Sequence, residues 1–124
     1  MLQRQEVEVW YVLPAIRKEL VKEMLKRGVK KSDISRILNI TKASVSHYTK
    51  NDRGDNISLN KIKKDIKKGA ERILDGECPT SVLQRLLIIS LKKGVTCQIH
   101  KQIDNIKGEC NICNKLYKNM KVSL

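Results

Sequence analysis

The sequence predicts an all-α fold, five helices forming one body followed by a small cysteine-bearing tail. Three observations predict it. Apolar residues recur at three- and four-residue spacings along nearly the whole chain. Helix punctuation is plain, with Pro14 and Pro79 at first-turn positions and Gly28 and Gly94 where helices end. Strand-like alternation appears only in Glu6-Val7-Glu8-Val9.

The elements follow in order. A first helix from Pro14 to Gly28 carries a buried stripe of Ile16, Leu20 and Met24, with Val21 and Leu25 beside it. Ser32 is placed to cap a second helix that turns Ile34, Ile37 and Leu38 inward. Thr41 caps a third, which starts at Lys42, and a loop of turn formers, NDRGDN, follows Lys50. Ser58 then caps a fourth, with Leu59, Ile62, Ile66, Ala70 and Ile73 on its apolar face. Its other face holds Lys61, Lys64, Lys67, Lys68 and Arg72, read either as a solvated surface or as a phosphate contact. Pro79 opens a fifth helix with Val82, Leu83, Leu86, Leu87 and Leu91. The expected division is a helical domain over 1–94 and a tail over 95–124.

Charge narrows the partner. The 124 residues carry 26 Lys and Arg against 13 Asp and Glu, a formal +13, which favours a polyanion, nucleic acid first and an anionic membrane surface second. There is no Phe, and Trp10, Tyr11, Tyr48 and Tyr117 are the only aromatics besides the two His. A stacking platform for single strands needs more. No apolar run reaches membrane-spanning length, and the N-terminus lacks the pattern of a signal peptide. The expected location is the cytoplasm, where four cysteines point to metal or redox chemistry rather than disulfides.

The segment from Asp33 to Lys50 has the pattern of a helix-turn-helix, a gripping helix, a tight turn and a second helix for the major groove. Ile34, Ile37 and Leu38 anchor the first helix. Asn39 suits a turn residue with positive φ, Ile40 plugs the turn, and Ser35 is small where the helices cross. Val45 and Tyr48 hold the second helix down. That leaves Lys42, Ala43, Ser46, His47 and Lys50 facing out, with Thr41 and Ser44 at the helix start suited to a phosphate. Lys42 and His47 can donate to guanine O6 and N7, and Ala43 can meet a thymine methyl.

"WYVLPAIRKEL", "ILNITKASVSHY" and "KNDRGD" together resemble small archaeal predicted transcription regulators with a phage-repressor-like (XRE-type) helix-turn-helix domain and a cysteine-containing tail. The resemblance covers nearly the whole chain and is strongest from Trp10 to Gly54. It implies a repressor-like helical domain, a homodimer on double-stranded DNA and a role in transcription. It also puts Lys42, Ala43 and His47 at base-contacting positions and Thr41 and Arg53 near phosphates. Asp52 and Asp55 flank Arg53 and oppose that last contact.

The tail reads CQIH from Cys97 and CNIC from Cys110, two x2 pairs with the spacing of metal knuckles. One ligand set is Cys97, His100, Cys110 and Cys113, fitting zinc. The other replaces His100 with Cys78, giving four thiolates for zinc or an iron–sulfur cluster. Free thiols are the plainer alternative for all of them. The leading expectation is thus a sequence-specific DNA-binding regulator, possessing a metal- or redox-responsive tail. The alternative is a metal-knuckle adaptor binding RNA or a protein partner. An enzyme is not expected, because no catalytic constellation or phosphate-binding glycine loop is present in the sequence.

Overall fold

A computed structural model describes residues 2–50, 58–105 and 124, except for the side chain of Lys50. Among these residues the architecture is all-helical. Its elements are α1 (Arg4–Val7), a π turn (Glu8–Val12), α2 (Leu13–Lys26), α3 (Lys31–Leu38), α4 (Lys42–Lys50), a 3₁₀ turn (Asn60–Ile62), α5 (Lys63–Leu74), α6 (Pro79–Lys92) and α7 (Val95–Asp104).

The helical arm begins ten residues earlier than its proline suggests, at Arg4 rather than Pro14. Glu6 to Val9, which alternates like a strand, is helical too. Gln3 starts the arm with its backbone N–H donating to the Glu6 carboxylate at 3.0 Å. Pro14 has no N–H, and its ring crowds the carbonyl four residues back. The widened turn before it takes up that misfit, with the Leu13 N–H bonding to Glu8 O, five residues back rather than four. The extra residue also sets which side chains face inward. Val7 and Val12, five apart, are both fully buried, and Ile16, Leu20 and Met24 follow at four-residue steps. Val9 and Trp10 fall on the outside of the bulge and are exposed.

Gly28 ends α2 in the left-handed region at φ +83°, where a side chain is strained. Its N–H reaches Leu25 O at 3.0 Å, and the Val29 N–H reaches Met24 O at 3.1 Å, satisfying carbonyls at the helix end. The chain then turns into α3. Lys30, not Ser32, is the residue that precedes this helix, so Ser32 lies within its exposed first turn.

α2 occupies the middle of the body, with α3, α4, α5 and α6 packed on it. The expected stripe of α5 is buried as read, Leu59, Ile62, Ile66, Ala70 and Ile73. Ser58 is a poor cap, however, accepting from the Asn60 N–H at 3.5 Å, and the helix enters through the 3₁₀ turn instead. Gly69 lets α5 and α6 approach closely, since a Cβ there would stand 3.0 Å from Val82 Cγ1 and 3.2 Å from Leu86 Cδ1. α7 lies against α1, the π turn and α6 and contributes Val95 and Ile99 to the same core, so residues assigned to the tail up to Asp104 belong to the packed body. No helix among the described residues is long and apolar enough to cross a membrane.

Candidate nucleic-acid interface

The turn between α3 and α4 is built by Asn39, whose φ of 52° and ψ of 47° place it in the left-handed region. Asn tolerates this conformation better than a branched or bulky residue. The Ile40 N–H returns to Ser35 O at 3.0 Å and the Asn39 N–H to Arg36 O at 3.3 Å. That pairing is the 6→1 and 5→2 closure of a helix end. Ser35 adds a further tie, its hydroxyl donating to Ile40 O at 2.6 Å. Ile40 packs against the core from within the turn. The angle between α3 and α4 is therefore fixed by backbone bonds, one hydroxyl and one apolar plug.

α4 starts at a true cap. Thr41 Oγ1 accepts from the Ser44 N–H at 3.0 Å, and the Thr41 hydroxyl donates to Ser44 Oγ at 2.9 Å. These two hydroxyls serve the helix itself, while the free N–H groups of the first turn still carry the positive end of the helix dipole. Val45 is fully buried and Tyr48 packs against the core half-buried, so one side of α4 is anchored.

Lys42, Ala43 and His47 are left exposed in its first two turns. Ser46 is less exposed than the sequence suggests, sitting half-buried with its carbonyl accepting from the Thr49 hydroxyl at 2.7 Å. The exposed imidazole of His47 lies beside the Tyr48 ring, ring centres 6.3 Å apart and the planes tilted by 56°. The predicted outward set thus reduces to three described residues. The Lys50 side chain and Arg53 lie outside the described residues.

The predicted metal ligands divide. Cys78 is exposed at the start of α6, where N–H groups of Ser81 and then Thr80 hold its thiol below the usual range. Cys97 is half-buried in the first turn of α7. The fourteen residues of α6 lie between them, about 21 Å of helix at roughly 1.5 Å per residue. Two thiolates on one zinc, each about 2.3 Å from it, cannot span that gap. Cys78 and Cys97 are not brought together.

Cys97 and His100, three apart, do share a face of α7. His100 Nε2 lies 2.8 Å from Asp104 Oδ2, which also accepts from the Leu2 N–H at 3.0 Å. A carboxylate on one ring nitrogen is the usual companion of a metal-binding imidazole and would leave Nδ1 as the ligating atom. It equally makes a plain structural latch between α7 and the start of the chain. Among the described residues no group of three His, Cys, Asp or Glu could hold a metal ion, and Cys110 and Cys113 lie outside the described residues.

The chain matches no family model, no curated protein and no solved structure.

Proposed function

We propose that this protein is a sequence-specific regulator of transcription that binds double-stranded DNA as a homodimer, with α4 lying in the major groove. The observation that carries the reading is the seating of α4. It stands on buried Val45 and half-buried Tyr48, after a turn closed by Asn39 and Ser35, and leaves Lys42, Ala43 and His47 exposed at its leading end. Those three side chains offer a cation, a methyl group and an imidazole from set backbone positions on one helix. Base edges in the major groove are told apart by such directional groups. The formal charge of +13 supplies the attraction to phosphate that brings the duplex in.

Selection from a randomised DNA pool tests the reading, with duplex RNA as competitor. The expected result is convergence on one sequence, arranged as two inverted half-sites about one helical turn apart. A pool that stays random, or RNA competing on equal terms, contradicts it.

The proposal extends to a zinc centre held by Cys97, His100, Cys110 and Cys113. Zinc is favoured over a four-thiolate cluster because Cys78 sits at the far end of α6 from Cys97. When bound, it would clip the segment after α7 back onto that helix. Metal analysis after anaerobic purification checks this. Stoichiometric zinc that is lost in Cys97→Ser agrees with it, and iron with inorganic sulfide, or zinc retained in that variant, does not.

A further inference from the structure

The 3₁₀ turn and α5 carry six cations between Lys61 and Arg72, against two acids, Asp65 and Glu71. Ion pairing sorts these charges unevenly. Asp65 is taken by Lys93, just after α6, at 2.8 Å, Glu71 by Arg27 at 3.0 Å, and Arg72 turns to Glu77 at 2.8 Å. Lys61, Lys63, Lys64, Lys67 and Lys68 are all exposed, and none has an ion-pair partner among the described residues. The acids on the helix are thus occupied by cations from elsewhere, and among the described residues none is left to its own lysines. At 100° per residue, Lys61, Lys64, Lys67 and Lys68 fall opposite the buried Ile62, Ile66, Ala70 and Ile73.

We infer that this lysine face is a second, sequence-independent contact surface for the phosphate backbone of duplex DNA, separate from α4. The inference rests on the proposed DNA-binding reading only for the choice of DNA as the polyanion. Dimensions agree with the inference. From Lys61 to Lys68 the stripe runs about 10 Å along the helix. One strand of a duplex presents about three phosphates over that length. Four flexible lysines match that charge without a fixed register.

Other polyanions fit less well. No aromatic residue lies in the 3₁₀ turn or α5, so a single strand would find no stacking surface. A helix that lies in a membrane inserts its apolar side, and here that side is already buried in the core.

The test uses the full chain and the double variant Lys64→Gln/Lys68→Gln, with Lys92→Gln/Lys101→Gln on α6 and α7 as a control of equal charge change. Binding to a mixed-sequence DNA duplex is titrated against NaCl, after circular dichroism has shown both variants folded. The α5 variant should lower the slope of log affinity against log salt by about 1.8, roughly 0.9 for each lost phosphate contact, and the control should leave it unchanged. Equal loss in both variants would mean that net charge alone matters and would overturn the assignment, as would no loss in either. Duplex RNA and vesicles of phosphatidylcholine mixed with phosphatidylserine form two further arms. Dependence on Lys64 and Lys68 for RNA or vesicles but not for DNA would also overturn it. Failure of α4 as the reading helix gives a different pattern, since Lys42→Ala would then leave sequence preference untouched while the α5 slope still falls.

Discussion

α4 and α5 both pack on α2, α4 anchored by buried Val45 and half-buried Tyr48 and α5 by Ile66, Ala70 and Ile73, yet they present opposite chemistry outward. α4 exposes three unlike groups, Lys42, Ala43 and His47, on a helix fixed by a closed turn and a capping threonine. α5 and the 3₁₀ turn before it expose Lys61, Lys64, Lys67 and Lys68, four copies of one flexible cation. A duplex offers two matching targets. Base edges differ from one another and demand distinct donors and methyls at set positions, whereas phosphates are all alike and reward charge wherever it lies. On the proposed reading the two helices divide specificity from affinity, and each can be broken without the other.

The largest effect comes from removing what seats each helix. Ile34→Ala in α3, and Ile62→Ala in the 3₁₀ turn that leads into α5, each empty a fully buried site and should cost about 2–5 kcal/mol in denaturant unfolding. Losses of similar size would show that both faces depend on one core. A clear inequality would show that one helix is held more loosely. Next in size is the outward face of α4. Lys42→Ala and His47→Ala should each weaken binding to the selected sequence by about 1–3 kcal/mol and relax preference at one base position, with little change on random DNA.

A smaller effect separates geometry from contact. Thr41→Ala removes the cap on Ser44 N and should lower stability by about 1 kcal/mol, read from thermal or denaturant unfolding, while Thr41→Ser restores it. The smallest effect lies in acid. Hydrogen bonds from Arg72, then Arg85, hold the Glu77 carboxyl below its usual range, and the Leu2 amide, then His100, do the same for Asp104. Both values are depressed in the folded chain, so their stabilisation is complete above the ordinary carboxylate range and is lost as pH falls below it through the depressed values. Burial pushes Glu8 the other way, so its cost eases in a higher window, as pH falls from above the ordinary carboxylate range down to it. Glu77→Gln should flatten the acid side of a plot of melting temperature against pH without changing DNA sequence preference.

Much of this division can be read in the sequence because it rests on local rules. Asn39 at a turn, Thr41 before a helix and Val45 three residues from Tyr48 each act over a single helical turn. The apolar face of α5 is legible for the same reason. The π turn was not, because its five-residue step from Val7 to Val12 breaks the spacing that marks a helix, and Pro14 then imitates a helix start. The pairing that frees the α5 lysines was also hidden. Lys93 and Arg27 are far along the chain from Asp65 and Glu71, and only tertiary packing brings them close. Cys78 and Cys97 failed as partners for a related reason, since spacing in sequence says nothing of the helix that stands between them.

Guanine N7 methylation interference reports whether α4 touches base edges in the major groove. Duplexes enriched by the protein are lightly methylated at guanine N7, bound, and the bound and free fractions are compared base by base. Methylation at one or two guanines in each half-site should exclude the duplex from the complex, and Lys42→Ala or His47→Ala should abolish interference at one of them. Interference that is absent, or spread evenly over all guanines and unchanged in both variants, would contradict base contact by α4.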